Sequence, residues 1–390
     1  MPLSTATQVP GADAYVPELD GIRGIAISAV MLLHFYSQSF GETHNFVESI
    51  VARVSGYGMW GVDLFFVLSG YLITGILWDT RGSEHYFRSF YMRRTLRIFP
   101  LYYAVILTIV ILIPASVFRR FAPEALEIRP VQGWLWSYLT NVYVARQGAF
   151  SIPYLSHFWT LAIEEHFYLF WPFIVGTFER VTALRATVLL GIAAFLLRVA
   201  LGFAGANEMM SHVLTPCRLD SLCIGAFFAL AARGPGGMAS LGYKMKIWLP
   251  LSLSALTALM MLPSHESRWA PIVVPLKWLL LAIFCGTFIV TAAWENGPLL
   301  IKSPLRMRWL RELGKYSYGL YVYHAIISYY FWKHNMVLEF EQRIANRTTA
   351  VLACGACGIV LSCLVAYVSF ELFEVRFLRL KRLFQASRRT

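Results

Sequence analysis

Ten apolar runs, each long enough to cross a lipid bilayer as a helix, constrain this chain more than any other feature. A hydrocarbon layer of ~30 Å needs about 20 apolar residues in a helix. Only 14% of the residues are charged, against about 25% in ordinary soluble domains. We therefore predict an all-α integral membrane protein with about ten transmembrane helices. The runs lie at residues 21–40, 58–78, 99–118, 157–178, 186–204, 214–231, 247–263, 271–294, 314–334 and 348–371.

An eleventh apolar run, residues 133–144 (GWLWSYLTNVYV), has only twelve residues. Runs of this length are typical of re-entrant or interfacial segments. If it does not span and the chain starts in the cytosol, the inner loops carry 21 Lys or Arg residues and the outer loops carry 8. The positive-inside rule then predicts ten helices with both termini cytosolic.

The net charge of +12 falls mainly in these short loops, so it indicates topology rather than a surface for nucleic acid. We predict a short cytosolic tail at residues 1–17, a membrane domain at 18–375 and a basic cytosolic tail at 376–390. Residues 1–17 contain no Lys or Arg and are therefore not read as a secretory signal. The basic tail is expected to contact anionic lipid headgroups.

Three ionisable residues lie inside the predicted membrane layer at similar depths. His34 follows Arg23 by eleven residues, roughly 16 Å along a helix. Glu164 and Glu165 lie near the middle of the run 157–178. Buried ionisable groups in membranes are costly and usually functional. A histidine with a carboxylate could be a general base and its orienting partner, or a structural ion pair that locks two helices; the sequence leaves both open.

Other polar groups collect in the same half of the membrane. They could line a hydrogen-bonding pocket for a polyol acceptor. Tyrosines at this level are equally typical of an interfacial aromatic belt, which is the favoured interpretation for any single one of them. The candidate substrate-binding residues are Asp63, Arg218, Asp220, Tyr318 and His324.

An arginine cluster, Arg93, Arg94 and Arg97, precedes the apolar part of the third run. Guanidinium groups grip phosphate and pyrophosphate in a bidentate manner. A topology anchor would also accept lysine, and this cluster contains arginine alone. We therefore favour an anionic ligand over a simple anchor.

Six motifs together resemble the acyltransferase 3 family of integral membrane O-acyltransferases. They extend in the family's order from about residue 15 to residue 330, and Arg23 and His34 have the family's R-x10-H spacing. The motifs are ELDGIRGIAI, GVDLFFVLSGYLIT, FYMRRTLRIFPLYY, HFWTLAIEEHFYLFWP, RLDSLCIGAF and GKYSYGLYVYH.

The resemblance implies a ten-helix fold in a bacterial inner membrane. It also implies transfer of an acyl group, commonly acetyl, from cytosolic acyl-CoA to a hydroxyl of a carbohydrate, without a metal. The residues that match Arg23 and His34 are essential in the family, and those that match Arg93 and Arg94 are implicated in donor use. Some relatives carry a fused extracellular hydrolase-like domain, which this sequence is not expected to contain.

On this basis we expect His34 to act as general base or as acyl carrier, oriented by Glu165 or Glu164. Arg23 is expected to neutralise a donor phosphate or Asp20, and Arg93, Arg94 and Arg97 are expected to bind the donor with it. A rival interpretation is a proton-coupled secondary transporter that uses His34 and Glu165 as a proton relay. The absence of a visible inverted repeat argues against it.

Overall fold

The computed structural model describes residues 15–37, 45–262 and 268–384. Within these ranges every regular element is a helix and no strand occurs, which confirms the all-α prediction. Residues 1–14 and 385–390, which belong to the two predicted tails, lie outside the described residues.

Nine α-helices occur in the described residues up to Val213. They are α1 (Pro17–Leu32), α2 (Phe46–Gly56), α3 (Trp60–Asp79), α4 (Tyr86–Leu107), α5 (Gln132–Trp136), α6 (Thr140–Gln147), α7 (Trp159–Thr177), α8 (Arg180–Phe203) and α9 (Glu208–Val213). Short π-helical turns extend α1 and α4, and 3₁₀ turns precede several others. The π-helical turns are Leu33–Ser37 and Thr108–Leu112, and the 3₁₀ turns are Tyr57–Met59, Val117–Arg120, Pro123–Val131 and Ser156–Phe158.

Nine more occur in the ranges that the structure describes from Thr215 onward. They are α10 (Thr215–Ala231), α11 (Gly237–Met260), α12 (Ala270–Ala293), α13 (Leu299–Leu305), α14 (Arg308–Lys315), α15 (Ser317–Lys333), α16 (Met336–Glu341), α17 (Arg347–Ser369) and α18 (Val375–Leu380). A π-helical turn, Phe370–Glu374, joins α17 to α18, and a 3₁₀ turn, Lys381–Phe384, follows α18.

Seven helical stretches in the described ranges are long and apolar enough to cross a membrane, as an integral membrane protein requires. They are Pro17–Ser37, Phe46–Asp79, Tyr86–Leu112, Arg180–Phe203, Glu208–Ala231, Ala270–Ala293 and Arg347–Phe384.

The predicted count of ten is not confirmed. The runs at 157–178, 247–263 and 314–334 do form helices, namely α7, α11 and α15. None of them is among the seven. Charged residues lower the mean hydropathy of two of these helices: Glu164 and Glu165 in α7, and two lysines in α11. The third helix, α15, is short, with 17 residues.

The run at 133–144 is not one continuous helix. It is divided between α5 and α6, which have five and eight residues. The break falls at Tyr138, which adopts a positive φ of 57°, and its ring stacks on Tyr102 of α4 with centroids 4.0 Å apart. Neither short helix reaches across a bilayer, and the structure does not confirm a re-entrant path.

Close backbone contact fixes α3 against α10. A Cβ atom at Gly225 would lie 1.9 Å from the carbonyl oxygen of Val67, and one at Gly70 would lie 2.0 Å from that of Leu222. Small residues allow membrane helices to approach in this way. The two glycines thus place α3, which lines both cavities described below, directly on α10.

An ion cluster fastens the beginning of α1. The buried carboxylate of Glu18 accepts a hydrogen bond from Nε of Arg306 at 2.8 Å and lies 3.3 Å from Nζ of Lys302. Both cations belong to α13 or to the residue that follows it. The polar start of α1 therefore attaches this helix to α13, and the position of its later residues follows from that attachment.

Candidate active site

Two neighbouring cavities lie among the helices. The first has a volume of about 310 Å³, and we call it the basic cavity because five cations line it. The second has a volume of about 350 Å³, and we call it the histidine cavity because His34, His157 and His212 line it. Both are of the size expected for small-molecule sites. The five cations are Arg23, Arg93, Arg94, Arg97 and Lys381.

The cavities occupy opposite ends of the same helices. On α1 and its π-helical extension, Arg23 lines the basic cavity and His34 lines the histidine cavity. On α15, Ser317 and Tyr318 line the first, and Ser328 lines the second. The arrangement therefore provides a path along the helix axes, with cations at one end and imidazoles at the other.

Three residues, Val62, Thr160 and Tyr321, line both cavities and form the wall between them. The hydroxyl groups of Thr160 and Tyr321 are hydrogen-bonded to each other. The Tyr321 hydroxyl also donates to the backbone carbonyl of His157 at 2.8 Å. This wall is thin, because the same three residues border both spaces.

The basic cavity contains more positive charge than its own carboxylates can balance. Among its lining residues Glu164 is the single acid, and its Oε2 accepts a hydrogen bond from the Tyr168 hydroxyl at 3.1 Å. The guanidinium of Arg94 lies over the Tyr168 ring at 5.7 Å. Arg23 is ion-paired with Asp20. No described Asp or Glu forms an ion pair with Arg93, Arg94 or Arg97.

His34 lies in the π-helical turn that ends α1. Such turns widen a helix locally and occur often at functional sites. The Ser328 hydroxyl donates to the His34 backbone carbonyl at 2.9 Å, which ties this turn to α15. The imidazole of His34 meets that of His324 edge to face, with centroids 5.1 Å apart.

His324 is fully buried. Its Nδ1 donates to the backbone carbonyl of Leu320 at 2.9 Å, which leaves Nε2 as an acceptor. That Nε2 atom has no hydrogen-bond partner in the part of the chain that the structure describes. An unsatisfied buried acceptor beside the His34 ring is costly in isolation, so it points to a functional contact.

His157 completes this group of rings. Its Nε2 donates to the backbone carbonyl of Val322 at 3.1 Å, and its ring lies 5.8 Å from that of His324. The three imidazoles do not form a metal site: among the described residues no group of three or more His, Cys, Asp or Glu side chains is placed to hold a metal ion.

Comparison with known proteins decides the family. The acyltransferase 3 family, whose description is 'acyltransferase domain', matches residues 16–368 of this chain. The chain belongs to the acyltransferase 3 family. Peptidoglycan O-acetyltransferase OatA of Listeria monocytogenes is 30% identical over 380 residues, which cover 92% of this chain and 55% of that protein.

A second similar protein is O-acetyltransferase OatA of Staphylococcus aureus. It is 27% identical over 339 residues, which cover 81% of this chain and 52% of the relative. The chain thus spans about half the length of the curated relatives that it matches. No solved structure matches it.

Within this acyltransferase fold, the expected contact between His34 and a carboxylate is absent. Among the described residues, neither Glu164 nor Glu165 hydrogen-bonds to His34. Glu164 lies in the basic cavity, and Oε1 of Glu165 is buried without a partner in the described ranges. His34 and the two glutamates have similar depths along their helices, but depth does not determine which way a helix face points. His324 takes the position beside His34 instead.

Three predicted substrate-binding residues form ion pairs between helices. Nη2 of Arg218 donates to Oδ1 of Asp63 at 2.6 Å, and Arg198 pairs with Asp220. All four side chains are at most 2% exposed, and none of them lines either cavity. They connect α3, α8 and α10. Tyr318 does line the basic cavity, and its hydroxyl donates to the Ile98 carbonyl at 2.6 Å.

The lining residues that sequence reasoning missed include four that carry polar chemistry, namely His157, Thr160, His212 and Lys381. His157 and Thr160 belong to the motif HFWTLAIEEH. In this motif we predicted a role for the two glutamates alone, because they carry charge. His212 lies in the short helix α9, which no apolar run predicts. Lys381 lies in the basic tail, where its charge was assigned to lipid.

Proposed function

We propose that this chain is a membrane O-acyltransferase. It transfers an acyl group, acetyl in the first instance, from acyl-CoA in the basic cavity to a carbohydrate hydroxyl in the histidine cavity. The observation that carries the proposal is the arrangement of the two cavities along shared helices, with phosphate-binding groups at one end and a candidate base at the other. The names of the relatives support the reaction class.

The basic cavity suits a donor with several phosphates. Coenzyme A carries a pyrophosphate and a 3′-phosphate, and arginine binds such groups through paired N–H donors. Arg93 lies at the exposed edge of the cavity and Arg94 and Arg97 lie further in. The pantetheine arm then extends along α1, over the roughly 16 Å between Arg23 and His34.

His34 is the general base in this proposal, and His324 is its positioning residue. Nε2 of His324 has no partner among the described residues; in the proposed step the His34 ring, whose centroid lies 5.1 Å from that of His324, donates its N–H to this atom. The other ring nitrogen of His34 is then free to take a proton from the acceptor. As His34 becomes an imidazolium, the hydrogen bond to His324 gains a charged donor and strengthens. This is the role that was expected of Glu165 or Glu164.

The reaction is balanced without a further reactant. His34 takes the proton of the acceptor hydroxyl while its oxygen attacks the thioester carbonyl. The tetrahedral intermediate collapses with cleavage of the carbon–sulfur bond, and the imidazolium returns the proton to the departing thiolate. The products are an ester and free coenzyme A. The side chains of Thr160 and Tyr321 border the place where the thioester must pass. Because the proton of each hydroxyl is already donated within the wall, we assign these two residues the shape of the passage rather than the stabilisation of the oxyanion.

The histidine cavity suits a sugar acceptor. Aromatic side chains line it, among them Trp159, Trp332, Tyr154 and Tyr329, and amphipathic rings of this kind combine an apolar face with a polar edge. Because the Listeria relative is named for peptidoglycan, a peptidoglycan sugar is the first acceptor to test. We place the basic cavity on the cytosolic side of a bacterial inner membrane, because the inner loops contain most of the Lys and Arg residues.

Mass spectrometry of cell-surface glycans tests the proposal. Cells with the intact protein should carry glycans heavier by one acyl group than cells that lack it, and cells with His34→Ala should match the cells that lack it. The mass difference identifies the acyl group, and the modified glycan identifies the acceptor. Identical glycans in all three strains would overturn the proposed function.

A further inference from the structure

The 3₁₀ turn at the end of the described chain brings a lysine into the basic cavity. Lys381 is the first residue of the turn Lys381–Phe384 and lines the cavity together with the three arginines of α4. The match to the family ends at residue 368. This cation is therefore contributed by a segment of the chain beyond the family match.

Contacts with α4 hold the turn in place. The guanidinium of Arg88 lies over the ring of Phe384 at 5.7 Å, a cation–π distance. Both α18 and the turn pack on α4, the helix that carries Arg93, Arg94 and Arg97. Lys381 is half-buried, whereas its neighbour Arg382 is exposed. The segment thus directs one of two adjacent cations inward.

This inward position is electrostatically unfavourable without an anion. Lys381 shares the cavity with four arginines and a single carboxylate, Glu164. Lys381 forms no ion pair with any Asp or Glu in the described ranges. Like charges gathered in a partly buried space repel one another more strongly than they would in water. A bound polyanion would replace this repulsion with attraction, and the inward position of Lys381 would then be electrostatically favourable.

We propose that Lys381 binds a phosphate group of the donor and that the segment 375–384 completes the donor site. This inference rests on the proposed function and extends it to a residue outside the family match. The ammonium group of lysine is a compact charge with three rotatable donors, which suits a phosphate held beside the arginine forks. Arg379 and Arg382, which are exposed, retain the contact with anionic headgroups that the sequence predicts for this tail.

The experiment compares Lys381→Gln with Arg382→Gln, which removes the adjacent exposed cation. Purified full-length protein in nanodiscs of phosphatidylcholine is titrated with coenzyme A, and both binding and thermal stability are measured. We expect Lys381→Gln to weaken coenzyme A binding by about tenfold, as loss of one charge-assisted hydrogen bond does. Arg382→Gln should change it less than twofold, and Lys381→Arg should recover most of the affinity.

A purely structural lysine would behave differently. Its loss would lower the thermal stability of the ligand-free protein, whereas we expect Lys381→Gln to be as stable as the parent or more so, because a repulsive charge has gone. Equal coenzyme A binding by Lys381→Gln and the parent would overturn this inference and leave the proposed function standing. Failure of the parent itself to bind coenzyme A would overturn the proposed donor.

A second arm distinguishes the donor from a lipid headgroup, since both supply phosphate. The titrations are repeated in nanodiscs that contain phosphatidylglycerol. If Lys381 binds a headgroup, Lys381→Gln will lower phosphatidylglycerol retention and leave coenzyme A affinity unchanged in both lipids. That outcome would contradict the inference; a loss of coenzyme A affinity in both lipids supports it.

Discussion

The imidazole rings of His34 and His324 lie edge to face, with their centroids 5.1 Å apart. One ring belongs to the π-helical end of α1 and the other to α15. Nδ1 of His324 is already bonded to a backbone carbonyl, and Nε2 has no partner in the described ranges. Nε2 is therefore the atom that His34 can use. The pair is the chemical centre of the proposed mechanism.

Replacement of His324 should slow transfer without loss of donor binding. His324→Ala removes the acceptor that stabilises the His34 imidazolium, which is worth about 1.5–3 kcal/mol for a hydrogen bond to a charged group. We therefore expect the transfer rate to fall about 10–100-fold, while His324→Gln retains part of it. His166→Ala is the control, because His166 lines neither cavity and bonds instead to Thr215. A transfer rate in His324→Ala equal to that of the control would remove His324 from the mechanism.

The wall between the cavities gives a second prediction. Tyr321→Phe deletes the hydroxyl that bonds to Thr160 and to the His157 carbonyl. Acyl transfer should fall by about tenfold, the effect of losing one neutral hydrogen bond, with coenzyme A affinity unchanged. Tyr323→Phe removes a hydroxyl from the same helix that lies outside both cavities and bonds to Ser369. Equal transfer rates for the two variants would show that the wall hydroxyl takes no part.

The arginines should differ among themselves in donor binding. Arg94 is half-buried over Tyr168, whereas Arg93 is exposed. Arg94→Gln should weaken coenzyme A binding by about 10–100-fold, and Arg93→Gln should weaken it less. Arg185→Gln, an exposed position on α8, is the control in the same calorimetric titration. Undiminished binding by Arg94→Gln would place the donor elsewhere.

The buried ion pairs should control stability rather than acceptor affinity. Arg218→Ala leaves Asp63 as an unpaired buried charge, which costs about 3–5 kcal/mol. We expect a large drop in melting temperature, with the acceptor KM of the remaining folded protein unchanged. The double variant Arg218→Leu with Asp63→Leu should recover much of the stability, since no charge is left unpaired. A raised acceptor KM at normal stability would restore the substrate-binding role predicted from sequence.

Apolar runs were sufficient to predict helices, because the cost of exposing backbone to lipid leaves few alternatives. The runs could not determine which helices cross the membrane. The charged helix α7 and the short helix α15 can be placed in a membrane only through their packing against neighbouring helices, and the sequence does not show that packing. The R-x10-H spacing was more informative, because it predicts that Arg23 and His34 lie well apart along one helix. In the structure Arg23 lines the basic cavity and His34 lines the histidine cavity.

The partner of His34 was harder to predict. Axial depth can be counted along a helix, but the rotation of α7 depends on its packing, and that rotation turns Glu164 toward the basic cavity. The ion pair of Arg218 and Asp63 shows the same limitation. A charge at mid-membrane depth indicates function by default, yet full burial with a partner gives it a structural role. Lys381 comes from a tail whose folding back onto α4 no local pattern predicts.

The most direct test measures acyl transfer and coenzyme A binding on the same preparation of His34→Ala. We expect labelled acetyl transfer to the acceptor to fall by about 10²–10⁴-fold, the usual contribution of a general base. We also expect a dissociation constant for coenzyme A within about twofold of the parent value, because His34 lies in the other cavity and should contribute little to donor affinity. Transfer at close to the parent rate, with normal donor binding, would contradict the assignment of His34 as the base.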